Sequence, residues 1–150
     1  MNEVEINIPS DHVFERIVRD SAAIVARYLG FPDDRTADLQ LAVSEAVTNA
    51  IEHGNQNHPD QKVGVYFMLL DDRLTVRVID QGGAMPGLVP VARPVLDEKL
   101  LEENPRGLGI YLIQQLVDGV EMRSNDGQTE FIMWFNIHPS EHPAALPGRI

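Results

Sequence analysis

The chain has 150 residues, 43% of them hydrophobic, and sets 12 Lys and Arg against 23 Asp and Glu for a formal charge of −11. Length and composition describe one globular domain able to bury its own core, and exclude a disordered chain. So acidic a chain argues against direct nucleic-acid binding, which depends on cations set against phosphates, and with no cysteine there is no disulfide, zinc–thiolate site or thiol nucleophile.

The first residues, MNEVEINIPSDHVFERIVRD, lack a basic stretch followed by an apolar run, so no signal peptide is expected. Glu3 to Ile8 alternates, with Val4, Ile6 and Ile8 on one side, and predicts a half-buried strand. Ser10 or Asp11 is the expected N-cap of a first helix. Val13, Phe14, Ile17, Val18, Ile24, Val25, Tyr28 and Leu29 recur along it at helical spacing, and Gly30 and Pro32 end it. A second helix, capped by Asp33 or Asp34, is expected to reach about His53, with Leu39, Val43, Ala46, Val47 and Ala50 as its apolar stripe and Gly54 as its stop. After the loop GNQNHPDQ, Val63 to Leu70 and Leu74 to Asp80 read as a hairpin around Asp71-Asp72-Arg73. Residues 81 to 105 are rich in proline and glycine up to Val95 and then carry a short charged helical piece. A loop so long inside a compact domain is a functional or disordered segment.

A third helix is expected from Arg106, with Ile110, Ile113, Leu116 and Val117 apolar. Gly119 to Arg123 and Glu130 to Ile137 form the last two strands, around Asn125-Asp126-Gly127. The tail after residue 137 is Pro-rich and expected to be disordered, leaving residues 1–137 as the domain. No stretch approaches the roughly 18 apolar residues of a membrane span, and a cytoplasmic protein is expected. The order β-α-α-β-β-loop-α-β-β predicts an α+β two-layer sandwich, a mixed, largely antiparallel sheet with helices on one face.

The second helix carries polar residues inside its apolar pattern. Asn49 lies about 40° from Glu45 around the helix and Glu52 about 20° to the other side, so the three share a face. That face suits solvent, as in any amphipathic helix. It also suits a ligand, because a carboxylate serves as a general base and an amide oxygen is a hard ligand of the kind Mg²⁺ accepts. Two further segments bear on the choice. Asp80-Gln81-Gly82 ends a strand with a carboxylate and opens a glycine turn, which on its own is an ordinary polar turn. Arg106-Gly107-Leu108-Gly109 opens a helix, where backbone amides cradle phosphate. A Walker A pattern is absent, and Gly107-Leu108-Gly109 lacks the third glycine of the dinucleotide-binding pattern.

In this order the segments resemble the motifs of the ATPase superfamily of gyrase, the ninety-kilodalton heat-shock protein, histidine kinases and the mismatch-repair protein MutL. SEAVTNAIEHG resembles its N-box, Asp80-x-Gly82 its first glycine box, the following loop its ATP lid, Arg106-Gly-Leu-Gly109 its second glycine box, and Gly127-x-Thr129 its late threonine motif. The likeness spans about Glu3 to Ile137. Within the superfamily, SEAVTNAIEHG and GLGIYLIQQLVDGVEMRSNDGQTE are most similar to bacterial anti-sigma-factor serine-protein kinases. The resemblance implies a histidine-kinase-like ATPase fold, ATP and Mg²⁺ as cofactors, and Glu45 as the base that deprotonates a substrate hydroxyl. It implies Asn49 on Mg²⁺, Asp80 accepting from the adenine amino group with Thr129 in support, and Gly82 giving the base close access. Arg106, Gly107, Leu108 and Gly109 are implied at the phosphates. The implied partners are a sigma factor and a STAS-type antagonist phosphorylated on Ser or Thr, with the kinase a homodimer and no membrane or direct nucleic-acid contact. Two departures touch the lid hinges. The first box reads DQGGA, with Ala84 in place of its second glycine, and Pro105 stands where the second box often has glycine. They keep open an alternative, a partner-switching module that binds without transferring phosphate.

Overall fold

The computed structural model describes residues 2–82, 87–89 and 105–137, with the side chains of 87–89 and 105–107 left aside. The Pro-rich tail and the charged helical piece expected after Val95 lie outside the described residues. So do Gly83 and Ala84 of the DQGGA departure.

Strand β1 (Asn2–Pro9) leads through a short 3-10 turn (His12–Phe14) into α1 (Glu15–Tyr28) and α2 (Asp33–Asn49). Of the two cap candidates for the first helix, Asp11 caps the 3-10 turn instead, its Oδ1 accepting from Val13 N at 3.0 Å, and α1 itself begins after Phe14 with no side-chain cap. Ser10 is buried and bonds elsewhere. α1 ends as expected at Gly30, whose φ of 75° places it in the left-handed region. Phe31 N donates to Ala26 O at 3.0 Å and Gly30 N to Arg27 O at 3.1 Å, which satisfies the last carbonyls of the helix. The N-cap of α2 is Pro32 and not an aspartate. Asp33 and Asp34 sit in the first helical turn, where the helix dipole favours negative charge.

The helix expected to run to His53 keeps α-helical winding only as far as Asn49. Ala50–Gly54 forms a π-helical turn, closed by Asn55 N donating to Ala50 O at 2.8 Å. Such wide turns concentrate at functional sites. The hairpin β2 (Lys62–Leu70) and β3 (Arg73–Asp80) follows, with Asp71 at φ 55° in its two-residue turn. A three-residue strand β4 (Gly87–Val89) then lies inside the segment read from sequence as pure loop. α3 (Pro105–Leu116) leads to β5 (Gly119–Asn125) and β6 (Gln128–Asn136). Pro105 is the first residue of α3, a position where a missing N–H costs no helical bond. Asp126 and Gly127, at φ 49° and 79°, form the tight turn between β5 and β6.

The strands make one six-stranded sheet in the order β1-β2-β3-β6-β5-β4. Of the mixed, largely antiparallel sheet expected, the antiparallel part is what the described residues show: all five pairings are antiparallel. Alternation along the strands puts Val63, Val65 and Phe67, Leu74, Val76 and Val78, and Phe131, Met133 and Phe135 on the inner face. There they pack with Leu39, Val43 and Val47 of α2, Val18 and the alanines of α1, and Ile113 of α3. The outer face is held by side-chain pairs. Arg77 bonds Glu130, and Arg73 lies 5.0 Å from the Trp134 ring centre. Tyr66 donates to Glu5 Oε1 at 3.1 Å, and burial together with this glutamate raises the phenol's pKa above its ordinary value. At one end of the sandwich Arg35 from α2 bonds Asp118 Oδ2 at 3.0 Å and Asn136 O, over the rings of Phe31 and Phe135. No helix of the described residues is long and apolar enough to cross a membrane.

Candidate functional site

The site lies at the opposite end of the sandwich, where β3 ends and α2 changes its winding. Asp80 closes β3 on the inner face. Cross-strand register sets it directly opposite Thr129, and Thr129 opposite Ser124 on β5. These three polar side chains form a buried row across the sheet, with Asp80 4% and Thr129 5% exposed. A buried carboxylate is costly unless a partner offsets the lost water. Gly82 N donates to Asp80 Oδ1 at 2.9 Å.

Above this row lies a pocket lined by Ala46, Asn49, Ala50, Val78, Asp80, Ile110, Met122, Thr129 and Phe131. Its walls are apolar, and its polar groups are one carboxylate, one hydroxyl and one amide. An apolar lining with a few convergent polar groups is the pattern of a small-molecule site. Two small residues line it on one side, Ala46 of α2 and Ala50 of the π-helical turn.

Glu45 and Asn49 sit one turn apart on α2, both half-buried. Gly109 brings α3 against them. A Cβ added to Gly109 would lie 2.9 Å from Asn49 Nδ2 and 3.3 Å from Glu45 Oε2, so the absence of a side chain there permits this approach. Arg106 and Gly107 fall in the first turn of the same helix, where backbone amides have no partner within the helix itself. Leu108 is exposed. The structure therefore brings Glu45, Asn49, Asp80, Gly82, Thr129 and Gly109 to one end of the molecule. It does not keep Glu52 with them. Glu52 lies on the π-helical turn, exposed, with His12 Nε2 3.2 Å and His53 Nε2 3.9 Å from its carboxylate. Among the described residues, no group of three or more His, Asp, Glu or Cys is placed to hold a metal.

Sequence reasoning missed Gly54 and Asn55 at the site. Gly54 ends the helical winding, as the sequence predicts, and it also lies against the Asp80 carboxyl: a Cβ on it would collide with all three carboxyl atoms. Gly82 in turn lies against the Gly54 carbonyl. Asn55 was read as loop, and it is 1% exposed. A polar residue so deeply buried in a loop is visible only once the chain is folded. Ser44 was unassigned as well, and its hydroxyl bonds Glu15 of α1 beside Glu45.

Residues 8–135 match the histidine kinase-like ATPase domain. The serine-protein kinase RsbW of Bacillus pumilus (strain SAFR-032) is 36% identical over 141 residues, covering 86% of this chain and 85% of that protein. Among solved structures, the RsbU and RsbW domains of a Mycobacterium tuberculosis protein superpose with a TM-score of 0.65 at 20% identity, over 91% of this chain and 32% of that longer one. A chain of the SiaB–SiaC complex from Pseudomonas aeruginosa superposes with a TM-score of 0.56 at 16% identity, over 88% of each.

Proposed function

The chain belongs to the histidine kinase-like ATPase family, among the serine-protein kinases of the RsbW type, and on that premise we propose that it is an ATP- and Mg²⁺-dependent anti-sigma regulatory factor that phosphorylates Ser or Thr on a STAS-type antagonist and otherwise sequesters a sigma factor. The observation that carries the reading is the convergence on α2: Gly109 of the second glycine box rests on Asn49 and Glu45, while Asp80 of the first lines the same pocket. In this reading residues 1–137 are the ATPase unit, 138–150 lie outside it, and the protein works in the cytoplasm.

ATP with Mg²⁺ supplies the γ-phosphoryl group and neutralises its charge. Asp80 accepts from the adenine amino group, Thr129 supports Asp80 from the neighbouring strand, and Gly82 keeps the backbone close to the base. Asn49 would present its amide oxygen to Mg²⁺, a hard cation that is commonly held by few protein ligands and would neutralise phosphate charge. The first turn of α3, from Arg106 to Gly109, meets the phosphate oxygens, with the orphan amides of Arg106 and Gly107 as donors, Leu108 and Gly109 bringing the backbone close, and the Arg106 guanidinium offsetting charge on the transferring group. Glu45 takes the proton of the substrate hydroxyl as that oxygen forms its bond to phosphorus and the bridging bond to ADP breaks. Positioning and electrostatics supply most of the rate, as is general for phosphoryl transfer.

The expected outcome with purified antagonist, ATP and Mg²⁺ is phosphoserine or phosphothreonine on the partner. Glu45→Gln is expected to slow transfer by about 10²- to 10⁴-fold while ATP still binds. A wild type that binds ATP and holds the antagonist but transfers no phosphate would replace this reading with the partner-switching module.

A homodimer is part of the proposal. Val13 on the 3-10 turn and Ile17, Ile24 and Tyr28 on α1 are exposed, Val13 by 70% and Tyr28 by 74%, and the three on α1 fall within about 40° of one another around the helix. Val13 and Tyr28 are equally far from the point between Asp20 and Ser21, and so are Ile17 and Ile24. An antiparallel pair of α1 helices about a two-fold axis there would set Val13 on the second copy's Tyr28 and Ile17 on its Ile24, the self-complementarity an isologous contact requires. Sedimentation is expected to give a dimer, and a monomer for Ile17→Asp.

A further inference from the structure

Resting on that reading of the pocket, we infer that the dipeptide Gly54-Asn55 is a positioning element for the base-recognising carboxylate, and so sets the protein's discrimination for a purine that carries an amino donor. Asn55 uses both ends of its amide. Its Oδ1 accepts from Gln81 N at 2.7 Å, in the residue next to Asp80. Its Nδ2 donates to Ser10 Oγ at 2.9 Å and to Lys62 O at 3.2 Å. Ser10, itself buried, donates to Gln61 O. One side chain thus ties the exit of β3 to the exit of β1 and the start of β2.

Gly54 completes the mould. Its missing side chain is the space the Asp80 carboxyl occupies, and its carbonyl lies where a side chain on Gly82 would stand. Asp80 is therefore held from one side by Gly54, from its own strand end by the Gly82 amide, and through Gln81 by Asn55. The π-helical turn makes this possible. With Asn55 N bonded to Ala50 O, five residues back, the chain leaves the helix one residue later than an α-turn would allow, and Gly54 and Asn55 both face the β3 end. A carboxylate that must meet a donor on a flat ring loses most of the bond when it tilts, because hydrogen bonds weaken steeply with angle.

The test compares binding of ATP with binding of the triphosphate of unsubstituted purine riboside, which lacks the amino group. Wild type is expected to prefer ATP by about tenfold or more, the worth of a hydrogen bond to a charged group. Asp80→Asn is expected to lose most of that preference. Asn55→Ala and Gly54→Ala are expected to lose it as well, through weaker ATP binding, while binding of the analogue stays near that of wild type. A purely structural role would lower thermal stability and leave the ratio intact. Folded variants of Gly54 and Asn55 that keep the wild-type ratio, beside an Asp80→Asn that loses it, would overturn this inference and spare the nucleotide reading. A wild type that shows no preference, or no ATP binding, would overturn both. Should Asn55→Ala not fold, exchange of the Gln81 amide proton in wild type decides its part: slow exchange is expected, and exchange at the rate of an open loop would overturn it.

Discussion

Helices α1 and α2 lie side by side on the same face of the sheet, yet they direct their side chains in opposite ways. α2 buries its large apolar residues, Leu39, Val43 and Val47, and turns Glu45 and Asn49 toward Gly109 of α3. α1 buries Val18, Ala22, Ala23 and Ala26, and turns Ile17, Ile24 and Tyr28 to solvent, in line with Val13 on the 3-10 turn before it. Small residues at a helix contact let the axes approach, and the separation follows from the side chains between them. α1 is thus fitted to sit close to α2 and to carry an apolar stripe outward. The same composition of helix serves a core in one case and a surface in the other, and in the dimer proposed above the outward stripe is what meets the second copy.

Three substitutions would break or sharpen this contrast. The largest effect is expected on the polar side of α2. Gly109→Ala removes a glycine from a helix, a change worth up to about 1 kcal/mol in helix propensity, but its methyl would press on Asn49 Nδ2. That atom ends a flexible side chain, so the fold is expected to survive while Asn49 moves. Phosphotransfer should fall by about 100-fold, the scale of a displacement of 1 Å at a reacting site. A transfer rate equal to wild type would mean that the approach of α3 to α2 is packing and not catalysis.

Next comes the α1–α2 seam. Ala22 is fully buried there, and Ala22→Leu is expected to destabilise the domain by about 1–3 kcal/mol through overpacking. Thermal unfolding would read this as a drop of several degrees, at roughly 3 °C per kcal/mol for a domain of this size. The smallest effect is expected on the outward stripe. Ile24→Ser, at an exposed position, should change the stability of the isolated subunit by no more than about 0.5 kcal/mol, as surface substitutions do. If Ile24→Ser proved as costly as Ala22→Leu at concentrations where the protein is monomeric, the stripe would be part of the subunit's own packing and the contrast between the helices would fail.

Much of the fold was legible in the chain. The strand pattern from Val63 to Asp80, the turn at Asp126-Gly127 and the end of α1 at Gly30 rest on local rules, alternation and left-handed φ, that act within a few residues. The candidate site was legible through residue types in order: a carboxylate and an amide one turn apart, a strand-end aspartate, glycines at a helix start. What was not legible depended on neighbours far along the chain. The apolar periodicity of α1 was real, but periodicity alone does not say which side faces the sheet, and here alanines took the inner side. Asp33 and Asp34 looked like caps because cap and first-turn positions favour the same residue, and the difference is one backbone dihedral at Pro32, φ −65° and ψ 163°. Gly54 read as a stop signal because a glycine after a helix ordinarily is one.

The chain by itself therefore determined the kind of elements, their order, and the chemical groups available to a nucleotide site, because each of these depends on local backbone preference and side-chain identity. Tertiary structure alone decided which of those groups meet. Asp80 faces Thr129, Gln81 bonds Asn55, and Gly109 rests on Asn49 through strand register, a widened helical turn and the docking of α3 on α2. These are contacts between residues tens of positions apart, and their geometry is set by how the core packs as a whole, which no local pattern encodes.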